Sequence, residues 1–129
     1  WTLKSAEAGL TEGKTRVGYL YLEGIGIAAD DAIAFRWFRE AALEGHPVAM
    51  NNYGLMMQLG RGTEKDLGEG FRWILKAAEA GDPDGMLNAG EAYEEGLGVA
   101  ADAALARGWM EKAAVAGVDD AIVWLAEQP

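Results

Sequence analysis

Three short segments of the sequence have the glycine spacing of a phosphate-binding loop. They read EGIGIAAD at 23–30, LGRGTEKD at 59–66 and EGLGVAAD at 95–102, and in each a Gly-x-Gly is followed by an Asp. A phosphate loop also requires a preceding strand and either a Lys-Ser/Thr pair or a longer glycine signature. All three segments instead follow stretches with helical apolar spacing. We therefore interpret them as tight turns in which glycine adopts a positive φ.

Carboxylates and a single histidine are the other side chains with catalytic or metal-binding potential. The carboxylates gather late in the chain, at Glu91, Glu94, Glu95, Asp119, Asp120 and Glu127. A pair of them would suit acid–base catalysis, but on an acidic chain such a group is typical of a solvated face that attracts basic segments. His46 lies at a helix-to-helix junction, and a metal site needs several converging ligands. We predict a structural role for His46, and no catalytic residue, metal or cofactor.

Tryptophans recur at a fixed interval, at Trp1, Trp37, Trp73 and Trp109. Such a row could stack on carbohydrate or nucleic-acid bases. Trp37, Trp73 and Trp109, however, are each followed by alanines at i+4 and i+5, which is the spacing of one buried helical stripe. We therefore predict that the tryptophan column lies in the core. Trp124 lies outside this column, and the sequence leaves open whether it is an exposed anchor or covers the last helix.

The interval of 36 residues extends far beyond the tryptophans. It also aligns four other columns of glycine, alanine and aspartate. These columns are Gly9, Gly45, Gly81 and Gly117; Gly18, Gly54 and Gly90; Asp30, Asp66 and Asp102; and the paired alanines at 41–42, 77–78 and 113–114. Self-similarity at one fixed period is the signature of a repeat architecture. The sequence therefore predicts an all-α solenoid of helix-turn-helix units.

Each repeat contains two helices, which we name helix A and helix B. The apolar spacing predicts helix A at about 11–22, 47–58, 83–94 and 119–127, and helix B at about 1–8, 31–44, 67–80 and 103–116. Helix B ends at glycine. Helix A begins at Pro47 or Pro83, where a missing N–H costs nothing, or is capped by Asp82 or Asp119.

The turn between the two helices contains further local signals. Asp30, Asp66 and Asp102 are predicted to cap helix B, and Ile27 and Val99 to attach the turn to the core. We treat residues 1–129 as a single domain. It comprises the end of a preceding repeat at 1–9, full repeats at 10–45, 46–81 and 82–117, and the start of a fourth at 118–129. Because neither end coincides with a repeat boundary, we expect the sequence to be a segment of a longer repeat protein.

Composition restricts the partners of this chain. Its 11 basic and 21 acidic residues give a net charge of −10, which argues against nucleic acid and against docking on an anionic membrane. No apolar run approaches the roughly 20 residues of a membrane helix. A protein or peptide partner remains, and a basic one would be attracted by the field of the chain. Without cysteine, and with no start of the chain in view, the sequence does not distinguish an exported from a cytoplasmic protein, nor does it give the oligomeric state.

At this point the residues resemble a known family. Small residues at Ala49 and Gly85, glycines at Gly54 and Gly90, and the segments EEGLGVAAD at 94–102 and EKAAVAG at 111–117 are similar to Sel-one-like repeats (SLR), as are Tyr93 and Trp109. These repeats are relatives of the tetratricopeptide repeats. The resemblance implies a right-handed α/α superhelix, typically bacterial when small, that serves as a scaffold or adaptor and is not an enzyme. An alternative role among such proteins is that of an immunity protein that neutralises a toxin.

The geometry of the related repeats implies that helix A lines the concave side of the solenoid. The side chains presented there form the predicted partner-binding face. They are Thr15, Tyr19, Leu22, Val48, Asn51, Leu55, Gln58, Asp84, Leu87, Glu91, Glu94, Val123 and Glu127. The face is apolar at Tyr19, Leu55 and Leu87 and has an acidic lower half, which suits a peptide with an apolar anchor and basic flanks.

Overall fold

The structure, a computed structural model, describes the backbone of residues 3–129 and the side chains of residues 9–129. Within this range it consists of seven α-helices and no strand. The helices are α1 Leu3–Glu23, α2 Asp31–Leu43, α3 Pro47–Leu59, α4 Leu67–Glu79, α5 Pro83–Glu95, α6 Ala103–Val115 and α7 Asp119–Ala126. Each helix packs against its neighbours in the chain, as in a solenoid. The predicted all-α helix-turn-helix architecture is confirmed. Trp1, the first member of the tryptophan column, lies outside the described residues.

The first helix differs from the prediction. Helix B at 1–8 and helix A at 11–22 were expected to be separate, but α1 runs without a break through Gly9. At the later junctions Gly45, Gly81 and Gly117 have φ of 92°, 98° and 91°, which ends helix B. Gly9 is followed by none of the prolines or aspartates that begin the later A helices, so the helical hydrogen bonds continue through it.

The predicted caps of helix B are confirmed. Asp30, Asp66 and Asp102 occupy the N-cap positions of α2, α4 and α6, and their carboxylates accept hydrogen bonds from the backbone N–H three residues later at 3.0–3.1 Å. Asp82 likewise caps α5 by accepting from the Gly85 N–H at 2.9 Å. The prediction for Asp119 is wrong, because Val118 is the N-cap of α7. Asp119 lies in the first turn of α7, where its negative charge interacts favourably with the helix dipole.

The Gly-x-Gly turns are confirmed as joints with positive φ, between 69° and 75° at all six glycines. The proposed role of Ile27 is wrong, since this side chain is 42 % exposed, whereas Val99 is half-buried. The second glycine of each later joint packs instead on the start of the preceding helix B. A Cβ on Gly62 would lie 2.3 Å from the Asp31 carbonyl oxygen, and one on Gly98 would lie 2.0 Å from that of Leu67.

The core column is the residue that follows each tryptophan. Phe38, Ile74 and Met110 are fully buried, while Trp37, Trp73 and Trp109 are half-buried, so the prediction of a tryptophan core is wrong. The core residues face the glycines of helix A at close range. A Cβ on Gly18 would lie 2.9 Å from the Phe38 ring, and one on Gly90 would lie 3.1 Å from the Met110 side chain. The absence of a side chain at these glycines therefore lets helices A and B approach closely.

The tryptophans lie between successive repeats. Trp73 packs against the core that contains Phe38, and its ring meets that of Tyr53 edge-on at 5.2 Å. Trp109 packs in the same way against the core that contains Ile74. The ammonium groups of Lys76 and Lys112 each lie 4.6 Å over the tryptophan of their own helix. Trp73 and Trp109 therefore contribute to the contact between successive repeats and do not fill the centre of a single repeat.

Candidate partner-binding face

The A helices are linked to one another by side-chain hydrogen bonds. The Asn52 amide donates to the Tyr19 hydroxyl at 2.6 Å, which joins α3 to α1. The Asn88 amide donates to the Asn51 side-chain oxygen at 2.9 Å, and the Trp124 indole N–H donates to the Glu94 carboxylate at 2.8 Å. Trp124 is thus half-buried and bonded to the preceding helix A. The sequence contained one signal for this row, because Asn52, Asn88 and Trp124 share a column at the repeat spacing.

The predicted face residues fall into three classes of exposure. Thr15 and Asn51 are buried, at 4 % and 5 % exposure, so their side chains are not available to a partner. Thr15 instead donates to the Thr11 carbonyl, and Asn51 accepts from Asn88. Six residues are half-buried, namely Tyr19, Leu22, Val48, Leu55, Gln58 and Leu87, and five are exposed, namely Asp84, Glu91, Glu94, Val123 and Glu127. We refer to these eleven accessible residues as the helix A face.

The part of this face on α1 and α3 is mainly apolar, and two of its residues pack against the core. Tyr19 and Leu22 pack against the core around Phe38, and the Tyr19 and Phe38 rings meet edge-on at 5.2 Å. Burial raises the pKa of the Tyr19 phenol, which favours the neutral hydroxyl. Leu55 and Val48 are half-buried on α3. Together these four residues form the apolar part of the helix A face.

The part of this face on α5 and α7 is acidic. Lys and Arg are absent from α3, α5 and α7, whereas α4 and α6 contain both. The carboxylates of the face are Asp84, Glu91, Glu94 and Glu127, and those of Glu95 and Asp120 lie near Glu91. Between residues 9 and 129 no ion pair involves any of them, since the basic partners pair elsewhere, as Arg61 does with Asp31. The negative charge of this half is therefore not compensated by the protein.

Glu91 shows the effect of this concentration of charge. Its side chain still contacts solvent, but partial burial raises its pKa, and the nearby charges of Glu95, Asp120 and Glu94 raise it further. A positive charge placed near Glu91 would relieve this repulsion.

Across the residues with described side chains, no group of three His, Cys, Asp or Glu residues is arranged to hold a metal ion. His46 is the N-cap of α3 and makes no side-chain capping bond.

Asp82, the cap of α5, gives a pH-dependent prediction. Burial raises its pKa from 3.8 to about 6, and the charge of Asp84 contributes in the same direction. Because the pKa is higher in the folded state, protonated Asp82 stabilises the fold at low pH, and this stability is lost as the pH rises through about 6. Asp82→Asn keeps a capping oxygen without the charge. We expect it to raise the free energy of unfolding at pH 7.5 by about 1–2 kcal/mol, measured by urea denaturation.

The matched control is Asp102→Asn, at an exposed cap of the same type. Asparagine and aspartate cap helices about equally well, so we expect this variant to change stability by less than about 0.5 kcal/mol. The gain from Asp82→Asn should vanish near pH 4. A loss of stability in Asp82→Asn at pH 7.5 would show that the charged cap is favourable despite its burial.

Comparisons with known proteins agree with the helical repeat architecture. The Sel1 repeat family model matches residues 11–46, 47–82 and 83–118. A protective antigen of uropathogenic Escherichia coli with an SLR fold is 40 % identical, with a TM-score of 0.83 over 90 % of this chain and 25 % of that one. A Sel1 repeat protein from Oxalobacter formigenes is also 40 % identical, with a TM-score of 0.83 over 86 % of this chain and 45 % of that one.

More distant relatives share the fold or a short segment. Cysteine-rich protein B of Helicobacter pylori is 22 % identical, with a TM-score of 0.73 over 94 % of this chain and 96 % of that one. Chitin synthase regulatory factor 3 of Schizosaccharomyces pombe is 41 % identical over 49 residues, which are 38 % of this chain and 5 % of that protein. The chain thus spans less than half of the relatives to which it is about 40 % identical. With family matches over three consecutive segments, the chain belongs to the Sel1 repeat family.

Proposed function

We propose that this chain is a non-catalytic interaction module that binds a protein partner on the helix A face. Sel1 repeat proteins generally mediate protein–protein interactions and are generally non-catalytic. The observation that supports the choice of this surface is its division into an apolar half and an acidic half whose charge is not compensated. The rest of the chain neutralises its charges more locally, because its basic residues lie in α1, in the B helices and in the turns.

The same division defines the chemistry of the partner. An apolar side chain of the partner would lie over Leu55 between α1 and α3, and basic residues would lie over Glu91 and Glu95. Apolar contact supplies most of the affinity at such a surface, while opposite charge accelerates the encounter and selects the partner. The segment that binds is therefore an extended or helical peptide with an apolar anchor followed or preceded by Lys or Arg. This arrangement also favours one direction of docking along the solenoid.

Site-specific photocrosslinking at Gln58 would identify the partner. Gln58 is half-buried on the helix A face, so we expect a crosslinker at this position to form one discrete protein adduct in cells. Leu55→Glu should then weaken the purified complex at least tenfold, because it places a charge against the apolar anchor. Glu91→Gln should weaken it several-fold and reduce its dependence on salt. Affinities are measured by isothermal titration calorimetry.

The controls lie on helix B. A crosslinker at Leu43, which is 63 % exposed on α2, should not form the same adduct, and Glu79→Gln on α4 should leave the affinity unchanged. Leu55 is a better test position than Leu87, since Leu87 packs against the core around Met110 and its replacement would disturb folding. The same adduct from Leu43 and Gln58, or normal affinity in a folded Leu55→Glu protein, would contradict the proposal.

An immunity role is a second form of the same proposal. In that case the partner is a toxin, and the acidic half would cover a basic surface around its active site. Co-expression with the crosslinked partner separates the two roles, since an immunity protein restores growth and a scaffold does not. The Glu91→Gln variant should reduce this protection if the acidic half contributes to it.

A further inference from the structure

The outer face of α6 contains an open groove. Ala106, Met110 and Ala113 of this helix are buried, and residues on the opposite side of the helix line a groove of about 630 Å³. Four of the lining residues are spaced at 108, 111, 112 and 115, which places them on one stripe of the helix. The lining residues are Met86, Gly108, Glu111, Lys112, Val115 and Ala116.

This face of helix B is open in the earlier repeats as well, where another repeat follows in the chain. The exposed residues at the equivalent positions are Arg36, Arg39, Glu40 and Leu43 of α2 and Arg72, Lys76 and Glu79 of α4, while Leu75 is half-buried. The accessibility of the stripe is therefore a property of helix B and does not depend on which residues follow α6.

Two residues of the groove have no evident role in the packing of the chain itself. Gly108 takes the position of Arg36 and Arg72, and a Cβ on it would meet no described atom within 4 Å. Glycine inside a helix lowers its stability relative to alanine, and no close contact here offsets that loss. Val115, two helical turns further on, is 90 % exposed. The stripe thus has a hole at Gly108 and an apolar knob at Val115.

Two opposite charges lie between the hole and the knob. Glu111 accepts a hydrogen bond from Arg107 at 3.0 Å, and the Lys112 ammonium lies 4.6 Å over the Trp109 ring, yet both Glu111 and Lys112 stay exposed. A two-fold axis that crosses the helix between these two residues exchanges Glu111 with Lys112. The same axis exchanges Gly108 with Val115. The stripe is therefore complementary to itself in charge and in shape.

We propose that two copies of this chain form a two-fold symmetric dimer through antiparallel α6 helices. The Val115 side chain of each copy enters the groove at Gly108 of the other, and Glu111 of each copy faces Lys112 of the other. A two-fold interface requires one patch to be complementary to itself, and this stripe meets that requirement. A parallel arrangement would place like charges against each other and is disfavoured.

The other B helices lack this combination. The long side chains of Arg36 and Arg72 fill the position of the hole in α2 and α4, so neither helix can admit an apolar residue there. The interface is also separate from the helix A face, which lies on α1, α3, α5 and α7. One pair of helices forms a small interface, so we expect a reversible dimer rather than an obligate one.

Sedimentation velocity of the whole chain over a wide range of protein concentration tests the proposal. We expect a reversible equilibrium between monomer and dimer. Gly108→Arg introduces the residue that the first two repeats have at this position, and its side chain would fill the groove. We expect it to weaken dimerisation at least tenfold. The variant should stay folded, because it replaces a helical glycine at a site with open space.

Val115→Lys and Leu43→Lys form a matched pair, since both change an exposed apolar residue in the same column of helix B. Val115→Lys should weaken dimerisation at least tenfold, because it removes the apolar knob, whereas Leu43→Lys should leave it unchanged. An equal loss in the two variants would place the interface outside α6 and overturn the proposal. Leu55→Glu, on the helix A face, should not alter the dimer.

Charge reversal tests the antiparallel pairing. Glu111→Lys and Lys112→Glu should each weaken dimerisation at least tenfold, because each places like charges across the two-fold axis. An equimolar mixture of these two variants should form a heterodimer, since the stripe of one is then basic and that of the other acidic. A wild-type chain that is monomeric at every concentration, a dimer that survives Gly108→Arg, or a mixture that stays monomeric would overturn the proposal.

Discussion

Gly62→Ala should lower the free energy of unfolding by about 3 kcal/mol or more, whereas Gly26→Ala should lower it by about 1 kcal/mol. Both glycines have a φ of 73°, so both substitutions carry the same cost of placing an L-residue in the left-handed region. Within the part of the chain that the structure describes, Gly62 contacts another repeat and Gly26 does not. The new methyl group at Gly62 would lie 2.3 Å from the Asp31 carbonyl oxygen, while a Cβ on Gly26 meets no described atom within 4 Å.

The comparison of these two variants isolates the contact between repeats from the strain of the turn. Both are measured by urea denaturation, followed by circular dichroism and by tryptophan fluorescence. In Gly62→Ala we also expect the two probes to diverge, because a solenoid with a weakened internal interface loses its single cooperative transition. Equal destabilisation of the two variants would show that the interface adjusts to the extra methyl group and that φ alone determines the cost.

Phe38→Ala should lower the free energy of unfolding by about 3–5 kcal/mol. The Phe38 ring is fully buried, faces Gly18 of α1 and meets the Tyr19 ring edge-on at 5.2 Å. Its removal would leave a cavity between α1 and α2. The backbone of α1 cannot collapse into this cavity without breaking the hydrogen bond between Tyr19 and Asn52 on the other side.

The control for this variant lies on the same helix. Leu43 is 63 % exposed, so Leu43→Ala should change stability by less than about 0.5 kcal/mol. Phe38→Leu keeps most of the apolar volume and should fall between the two. If Phe38→Ala cost no more than Leu43→Ala, the core of the first repeat would lie elsewhere, and the register of α2 would have to be revised.

The helices, joints and caps of this chain could be predicted because their signals are local. A glycine turn ending in Asp30, Asp66 or Asp102 specifies a positive φ and a capping carboxylate within eight residues. The same pattern occurs three times at the repeat spacing, which strengthens the prediction. The exact register of the core could not be predicted in the same way. Adjacent helical residues differ by about 100° in direction, so Trp37 and Phe38 both lie on the edge of one apolar stripe. Only the position of the neighbouring helix decides which of them is enclosed.

The helix A face is a prediction made from columns of the repeat, and the sequence did not give the accessibility of its side chains. Asn51 and Thr15 share a column that was predicted to face outward, but both are buried, and their side chains bond to Asn88 and to the Thr11 carbonyl. The bond from the Asn88 amide to the Asn51 oxygen joins residues 37 positions apart, and no local pattern in the sequence reports such a contact. The acidic half, in contrast, is readable from the absence of Lys and Arg in α3, α5 and α7, because exposed charge depends little on packing.

The joint glycines have a consequence for how such a chain can diverge. At Gly62 and Gly98 the contact between repeats is made by backbone atoms, so the geometry of these joints does not depend on the neighbouring side chains of the turn. The residue between the two glycines is Ile25, Arg61 or Leu97, and the residue after them is Ile27, Thr63 or Val99, without a change in the turn. The geometry of the joints and the chemistry of the exposed side chains are thereby specified by different residues. Exposed residues of the proposed face, such as Asp84 and Val123, could therefore change while the joints keep their geometry.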